Sequence, residues 1–202
     1  MKKEQKNVYK VYDKIAAWFA ENNRTELIEK KHLDEMISKI KADAEVLDVG
    51  CGNGKPIFSY LVEKGFNVMG VDASLEMLKI AKNNFPAANF ILEDMRKLSL
   101  NKKFDAIIAW HSFFHLPQSD QPDMFRIFAS HLVAGGILIF TSGTENGEAW
   151  GENGGESMFH ASLDTETYKR LLSQNNFVVI NHTINDLDCG GATVWMAQYN
   201  PQ

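Results

Sequence analysis

The sequence predicts a doubly wound α/β fold, in which helices cover both faces of a largely parallel sheet. Apolar segments of strand length alternate with helical patterns between residues 45 and 141, as in right-handed strand–helix–strand units. A glycine-rich turn directly follows the first of these segments. Two strand-like runs near the end of the chain have a link too short for a crossover helix, which predicts an antiparallel pair at the sheet edge.

Residues 1–43 are predicted to form two helices that cap the sheet, because apolar side chains recur there at helical spacing. Asn22 and Asn23 interrupt the pattern and separate the two helices. The first apolar stripe contains Val8, Val11, Tyr12, Ile15 and Phe19, and the second contains Leu33, Met36, Ile37 and Ile40.

Residues 44–142 are predicted to be a cofactor-binding core of five strands with helices between them. Pro56 suits the first position of one core helix, and Ser74 suits the N-cap of the next. A further helix is expected over Asp120–Leu132. The predicted strands are Glu45–Val49, Asn67–Val71, Asn89–Leu92, Phe104–Ala109 and Gly136–Thr141.

The remaining residues are predicted to complete a single domain that spans residues 1–202. Residues 143–163 combine glycines with large aromatic side chains, which indicates a flexible loop that faces the substrate. Residues 164–202 are predicted to contain a helix over Asp164–Gln174, followed by a hairpin of Phe177–Ile184 and Ala192–Tyr199.

Composition restricts the class of protein and its partners. Of 202 residues, 45% are hydrophobic and 23% are charged, which is ordinary for a globular domain. The net charge of −5 argues against a nucleic-acid partner, and no apolar run is long enough for a membrane span. The segment Met1–Lys10 lacks the apolar stretch of a secretory signal. Since Cys51 and Cys189 are too few for a disulfide framework or a metal cluster, we expect a cytoplasmic protein without a metal.

The strongest functional signal is the turn after the first predicted strand. Gly50, Gly52 and Gly54 occupy alternate positions, where the backbone can take positive φ and approach a ligand closely. Asp72 follows Gly54 by 18 residues, at the end of the second predicted strand. A carboxylate near that position binds ribose hydroxyls in doubly wound nucleotide-binding folds, so the pairing predicts a cofactor that contains a nucleoside.

Asp48 distinguishes between classes of cofactor. A dinucleotide site has the pattern G-x-G-x-x-G, whereas this chain has an acidic residue two places before the first of three alternate glycines. The Asp48 carboxylate would repel a pyrophosphate, and it suits the ammonium of a methionine moiety, bound directly or through water. A methionine-containing nucleoside is therefore favoured over a nicotinamide dinucleotide, and a turn without a ligand is the remaining alternative.

With these motifs the chain resembles the class I S-adenosylmethionine-dependent methyltransferases, and within them the small-molecule branch called methyltransferase type 11 or 25. The resemblance implies a Rossmann-like seven-stranded sheet in the order 3-2-1-4-5-7-6, with strand 7 antiparallel. No Asn-Pro-Pro-Tyr-type tetrapeptide follows the fourth strand, which argues against branches that act on adenine or glutamine. The motifs are Val46–Lys55, Val68–Met77, Ile91–Arg96, Phe104–Pro117 and Leu132–Thr141.

The resemblance implies a set of residues that hold S-adenosylmethionine. The glycine turn would lie against the methionine portion and the ribose, with Asp48 at the amino group and Asp72 at both ribose hydroxyls. Asp94 would bind the adenine amino group. The implied cofactor-binding residues are Asp48, Gly50, Cys51, Gly52, Asn53, Gly54, Asp72, Ala73, Met77, Asp94, Met95 and Trp110.

Three of these residues also have a purely structural interpretation. Asp94 could be a loop residue or the cap of a helix. Met77 lies at helical spacing and could belong to the core. Cys51 is interpreted as a small side chain tolerated in the turn rather than as a nucleophile, since methyl transfer needs no thiol.

Histidines and aromatic residues near the same sheet edge are candidates for catalysis and acceptor binding. A general base is needed only if the acceptor is protonated; His115 is the first candidate, followed by His111 and His160. Each of them could instead be a structural histidine. Aromatic rings suit a positive sulfur, and the candidates are Tyr12, Trp18, Phe19 and Trp110. The predicted substrate-binding residues are Trp18, Arg24, His111, Trp150 and His160.

Together these observations predict an enzyme that transfers a methyl group from S-adenosylmethionine to an unidentified small molecule by in-line displacement. A non-catalytic cofactor-binding protein, or the regulatory partner of an active subunit, is the main alternative. A nicotinamide-dependent oxidoreductase is disfavoured by the glycine pattern and by the terminal hairpin. The acceptor and the oligomeric state stay open.

Overall fold

A computed structural model describes residues 7–201; residues 1–6, which begin the segment Met1–Lys10, and residue 202 lie outside the described residues. The helices are α1 (Tyr9–Asn22), α2 (Lys30–Ile37), α3 (Ile57–Glu63), α4 (Leu75–Asn84), α5 (Gln121–His131) and α6 (Thr165–Gln174). The strands are β1 (Glu45–Val49), β2 (Asn67–Asp72), β3 (Asn89–Leu92), β4 (Phe104–Ala109), β5 (Leu132–Ser142), β6 (Gly147–Asn153), β7 (Glu156–Ser162), β8 (Phe177–Asp186) and β9 (Ala192–Tyr199). Within residues 7–201, no helix combines the length and the apolar character that a membrane crossing requires.

Seven strands form one mixed sheet in the order β3-β2-β1-β4-β5-β9-β8. The pairs among β1 to β5 are parallel, and β9 lies antiparallel between β5 and β8. Because β8 and β9 are the sixth and seventh strands of this sheet along the chain, the predicted order 3-2-1-4-5-7-6 is confirmed, as is the antiparallel seventh strand. The carboxyl ends of β1, β2 and β4 meet at one edge, where open α/β sheets bind their ligands.

Apolar side chains cover both faces of the sheet, which explains why β1 and β4 read as nearly continuous apolar runs. On one face, Phe113 is fully buried and makes ring contacts with Phe125, Phe140 and Tyr168. On the other face, buried residues of α2 and α3 pack against the alternate side chains of β1, β4 and β5. The packed cores on the two faces of the sheet therefore fix the edge at which β1, β2 and β4 end.

Several boundaries differ from the predicted ones by a few residues. β5 begins at Leu132 rather than Gly136, because the pairing with β4 continues across an irregularity in the register. β8 extends to Asp186. Pro56 takes the N-cap position of α3 rather than its first helical position, and α2 ends before Ile40.

The structure corrects the prediction of a flexible loop over residues 143–163. β6 and β7 pair there as an antiparallel hairpin. Gly154 and Gly155 form its turn with φ of 57° and 78°, a conformation typical of tight hairpins. The hairpin packs on α1, and the buried residues of this contact are Val8, Val11, Ile15, Met158, Phe159 and Ala161. We call α1 and the hairpin together the roof.

Candidate functional site

A cavity of about 380 Å³ opens at the carboxyl ends of β1, β2 and β4, beneath the roof. Its lining combines the glycine turn, the ends of β2 and β3, the residues after β4, the connection between α1 and α2, and the roof. Most of the predicted site residues line it: Arg24, Asp48, Gly50, Cys51, Gly52, Asn53, Gly54, Asp72, Ala73, Met77, Asp94, Met95, Trp110, His111, His115 and His160.

The glycine turn has the backbone geometry that its sequence predicts. Gly50, Gly52 and Gly54 all have positive φ, between 54° and 80°. A Cβ at Gly50 would lie 2.2 Å from the Cβ of Ser112, so the close approach of these two segments requires glycine. A Cβ at Gly52 would meet no atom within 4 Å, which places this residue against open space.

Asp72 ties the end of β2 to the glycine turn. Its Oδ2 accepts a hydrogen bond from the Gly52 amide at 2.9 Å, and its Oδ1 accepts one from the Ser74 amide at 2.8 Å. Burial raises the pKa of Asp72, although these amides favour its charged form. Ser74 caps α4 by accepting from the Met77 amide, as predicted. Met77 is buried and also lines the cavity, so its two interpretations are compatible.

Asp48 is a buried carboxyl at the end of β1, 4% exposed. Its side chain makes no hydrogen bond to the part of the chain that the structure describes. Burial raises the pKa of Asp48 to about 7, and the nearby carboxylates of Asp72 and Glu29 contribute to the same shift. A cation bound in the cavity would favour the charged form of Asp48 and lower this pKa.

Arg24 and Trp110 bring hydrogen-bond donors to the cavity, whereas Asp48 brings an acceptor. Arg24 donates from Nη1 and Nη2 to the two carboxylate oxygens of the buried Glu29, at 2.6 and 3.0 Å. The buried Nε1 of Trp110 has no hydrogen-bond partner among residues 7–201. Because a buried N–H without a partner is costly, it indicates a position for a ligand oxygen. Glu29 was missed, since no sequence pattern signals its pairing with Arg24.

Asp94 has the structural role that was its alternative interpretation. It caps the short 3-10 turn Met95–Lys97 through the Arg96 amide, and the Arg96 side chain donates to both of its oxygens. Burial raises the pKa of Asp94, but the hydrogen bonds from Arg96 outweigh this and hold the pKa below its usual value. An adenine amino group would therefore share this carboxylate with Arg96.

His115 does not have the environment of a general base. Its Nδ1 lies 2.8 Å from the carbonyl oxygen of Phe159, which can only accept, so Nδ1 donates. Nε2 then accepts from the Tyr12 hydroxyl at 3.0 Å. Burial lowers the pKa of His115 to about 3. With both nitrogens bonded, His115 positions Tyr12 and joins the two halves of the roof, and we do not propose it as the base.

His111 and His160 face the cavity with fewer constraints. His111 follows β4 with a φ of 47°, uncommon outside glycine, and its amide donates to Thr141 Oγ1 at 2.9 Å. Burial lowers the pKa of His111 to about 4, and the Arg24 charge adds to this. Burial also lowers the pKa of His160. Both imidazoles are neutral near pH 7.

Two predicted substrate residues lie outside the cavity lining. Trp18 is 43% exposed and lies against Gly154, and Trp150 is 41% exposed and packs on the ring of Phe159. Their aromatic surface belongs to the roof rather than to the cavity. The lining also contains residues for which the sequence predicted no role in the site: Tyr9, Asn23, Glu29, Lys55, Glu93 and Phe114.

Residues 46–136 match a family model described as a methyltransferase domain. A putative methyltransferase, 235L, of Invertebrate iridescent virus 6 is 38% identical over 93 residues, covering 45% of this chain and 33% of that protein. Glycine N-methyltransferase of Mus musculus is 39% identical over 113 residues, covering 46% and 38%. The putative methyltransferase YqeM of Bacillus subtilis is 31% identical over 136 residues, covering 64% and 51%. The chain thus spans between a third and half the length of these relatives.

Solved structures share the fold at low identity. S-adenosylmethionine-bound CalS10, an amino pentose methyltransferase of Micromonospora echinaspora, superposes with a TM-score of 0.72 and 18% identity, covering 94% of this chain and 97% of that one. The 1,6-didemethyltoxoflavin-N1-methyltransferase of Burkholderia thailandensis gives a TM-score of 0.74 and 15% identity, covering 96% and 88%. These likenesses extend the shared fold well beyond residues 46–136.

Proposed function

Because residues 46–136 match a methyltransferase domain, we propose that the protein is a class I methyltransferase that transfers a methyl group from S-adenosylmethionine to a small-molecule acceptor. The observation that carries the proposal is that the matched glycine turn, Asp48 and Asp72 all face the same cavity. The relatives named for glycine and for didemethyltoxoflavin support a small acceptor with a nitrogen nucleophile. A cytoplasmic location and the absence of a nucleic-acid partner stay predictions from composition.

The donors and acceptors of the cavity suit the parts of S-adenosylmethionine. Its methionine end carries an ammonium and a carboxylate; Asp48 would take the ammonium, while Arg24 and the unpartnered Nε1 of Trp110 would donate to the carboxylate. Asp72 uses one lone pair of each oxygen on the Gly52 and Ser74 amides, which leaves acceptor capacity for ribose hydroxyls.

The same residues argue against a dinucleotide. Asp72 is close enough to raise the pKa of Asp48, and burial already disfavours the charge of both carboxyls. A pyrophosphate would add two negative charges to this end of the cavity, whereas an ammonium would relieve the repulsion. The nicotinamide alternative therefore has no support from the electrostatics of the glycine turn.

When bound, S-adenosylmethionine would supply an electrophilic methyl group on a positive sulfur, open to in-line displacement by a nucleophile. The chain's contribution is orientation and exclusion of water. The roof covers the cavity with Met158 from β7 and Tyr12 from α1, and His115 fixes the Tyr12 hydroxyl. Aromatic faces such as Tyr12 and Trp110 attract a nearby cation by about 0.5–2 kcal/mol.

The proposal is tested by the melting temperature with S-adenosylhomocysteine and, separately, with NAD(H). A ligand at 100 times its dissociation constant adds about 2.7 kcal/mol of stability. That raises the Tm of a chain of this size by roughly 5–10 °C. A shift with NAD(H) alone would overturn the proposal. If S-adenosylhomocysteine binds, methyl transfer to a small molecule distinguishes an enzyme from a non-catalytic binding protein.

Binding of S-adenosylhomocysteine is expected to strengthen as pH rises through 7. The pKa of Asp48 is about 7 without ligand, so at pH 6 most molecules carry its neutral form and must release a proton to pair with the ammonium. We expect the Kd at pH 6 to be roughly eightfold the Kd at pH 7.5. Calorimetric titration at several pH values measures this slope and the released proton.

Asp48→Asn is the matched control for this pH dependence. The variant keeps the shape of the side chain but cannot titrate. It should bind S-adenosylhomocysteine more weakly than the parent at pH 7.5, with a Kd that is nearly constant from pH 6 to 7.5. The pH dependence of the stability of the ligand-free protein provides an independent check. Since the folded pKa of Asp48 is raised, its contribution to stability is largest below pH 4 and is lost as pH rises towards 7. An unchanged slope in the variant would contradict the assignment.

A further inference from the structure

One side of the cavity is a continuous series of rings, which we call the ring wall: Tyr12, His111, Phe114, His115 and His160. The Phe114 centroid lies 5.6 Å from that of His111, 4.9 Å from that of His115 and 5.2 Å from that of His160. The His115 centroid lies 4.9 Å from that of His160 and 5.5 Å from that of Tyr12. These spacings are those of packed aromatic rings. The rings are tilted or edge-on to one another, at 42–70°, and all five line the cavity, so they offer aromatic surface to a bound ring.

The ring wall carries no charge near neutral pH. Burial lowers the pKa of His111 to about 4 and that of His115 to about 3, so both imidazoles are neutral. The neighbouring Arg24 guanidinium bonds both oxygens of Glu29, and under the proposed function its remaining N–H groups bind the cofactor carboxylate. The other cations of the lining, Lys55 and Arg96, belong to the segments after β1 and β3. A free amino acid would therefore find no unpaired cation for its carboxylate at the ring wall.

His111 is the member of the ring wall with unused hydrogen-bonding groups. Its ring nitrogens make no hydrogen bond to the described part of the chain, whereas those of His115 are both occupied. Its left-handed backbone is held by the bond to Thr141, and the residue lines the cavity. A positive φ at a residue other than glycine persists where the surrounding structure holds it, and such residues are often found at ligand sites.

We propose that the methyl acceptor is a planar, uncharged heteroaromatic molecule, which lies against the ring wall and hydrogen-bonds to the His111 imidazole. This inference rests on the proposed function and specifies its substrate class. Flat rings gain contact with Phe114 and His160 without a counter-ion, and one N–H or O–H group of the acceptor satisfies a nitrogen of His111. Glycine and other zwitterions are excluded by the same neutrality, despite the similarity to glycine N-methyltransferase.

The test uses the full chain saturated with S-adenosylhomocysteine, so that cofactor binding and acceptor binding are measured separately. Calorimetry or ligand-observed NMR then measures the affinities of 4-hydroxyquinoline, xanthine, 7-hydroxycoumarin and glycine. His111→Phe keeps a ring but removes both nitrogens, and His111→Asn keeps a polar group at a backbone conformation that asparagine tolerates. His182→Phe is the matched control, because this histidine stacks on Trp195 away from the cavity lining.

We expect at least one planar probe to bind the cofactor complex and glycine not to bind. His111→Phe should weaken that probe about tenfold, the usual effect of one lost hydrogen bond. S-adenosylhomocysteine affinity should stay unchanged in His111→Phe, and probe affinity should stay unchanged in His182→Phe. The inference is overturned if glycine binds, or if every planar probe fails while S-adenosylhomocysteine binds normally. If S-adenosylhomocysteine itself fails to bind, the proposed function fails first.

Discussion

Asp72→Asn is expected to weaken S-adenosylhomocysteine binding at least 100-fold while leaving the Tm of the ligand-free protein nearly unchanged. The carboxylate has two structural bonds, to the Gly52 and Ser74 amides, and its remaining acceptor capacity lies at the cavity, where the proposed function places the ribose. Hydrogen bonds to a charged group contribute about 1.5–3 kcal/mol each, so losing two ribose bonds accounts for the affinity. Stability changes little, because the amide oxygen keeps one structural bond and the variant no longer buries a charge.

The measurement is a calorimetric titration at pH 7.5, with Asp123→Asn as the control. Asp123 is an exposed carboxylate in the first turn of α5 and does not line the cavity. Its variant should bind S-adenosylhomocysteine as the parent does. If Asp72→Asn bound S-adenosylhomocysteine within threefold of the parent affinity, the carboxylate would be a structural link between β2 and the glycine turn only.

The sheet and the glycine turn were predictable because their signals are local. Each core strand is a short apolar run, and the distance from Gly54 to Asp72 follows from the length of one helix, one strand and two connections. Both features survive in a single sequence, since they depend on neighbouring residues. The agreement of β1 and β4 with their predicted bounds shows how strong that signal is when both faces of a strand are buried.

The hairpin was missed because β6 lacks the alternation of a half-buried strand. Its residues are exposed on both sides, apart from partial burial of Asn153, so no apolar face marks it. The available signal was the sequence Asn153-Gly154-Gly155, since Asn-Gly and Gly-Gly dipeptides favour two-residue hairpin turns. β7 then becomes ordered by packing on α1, a contact between residues about 150 positions apart.

The role of His115 was not predictable for a related reason. Its partners, Tyr12 and Phe159, lie 103 and 44 positions away, and both belong to the roof. A histidine after a core strand has the sequence signature of a base whether or not its nitrogens are free. Only the folded environment, which buries the ring and occupies both nitrogens, lowers the pKa of His115 to about 3. The pairing of Arg24 with Glu29 spans only five positions, but it depends on the path of the connection between α1 and α2, which has no sequence signature.

Gly50→Ala is expected to destabilise the protein by about 2–5 kcal/mol, which combines overpacking with a strained positive φ. The added methyl group would lie 2.2 Å from the Cβ of Ser112, and the φ of Gly50 is 78°. The segment after β4 that carries Ser112 would have to move, and with it the glycine turn. A Tm lowered by roughly 5–15 °C and the loss of S-adenosylhomocysteine binding should follow.

A second substitution separates contact from backbone strain in this prediction. The double variant Gly50→Ala, Ser112→Gly removes the clash and keeps the positive φ. It should recover more than half of the decrease in Tm. This holds even though the hydrogen bond from Ser112 to the Val49 carbonyl is lost. Gly52→Ala is the matched control: its φ of 54° is strained too, but its Cβ would meet open space. If Gly52→Ala lowered the Tm of the ligand-free protein as much as Gly50→Ala, strain alone would be the cause. A larger effect at Gly50 means that the turn needs glycine there because the Ser112 side chain fills the space that a Cβ would occupy.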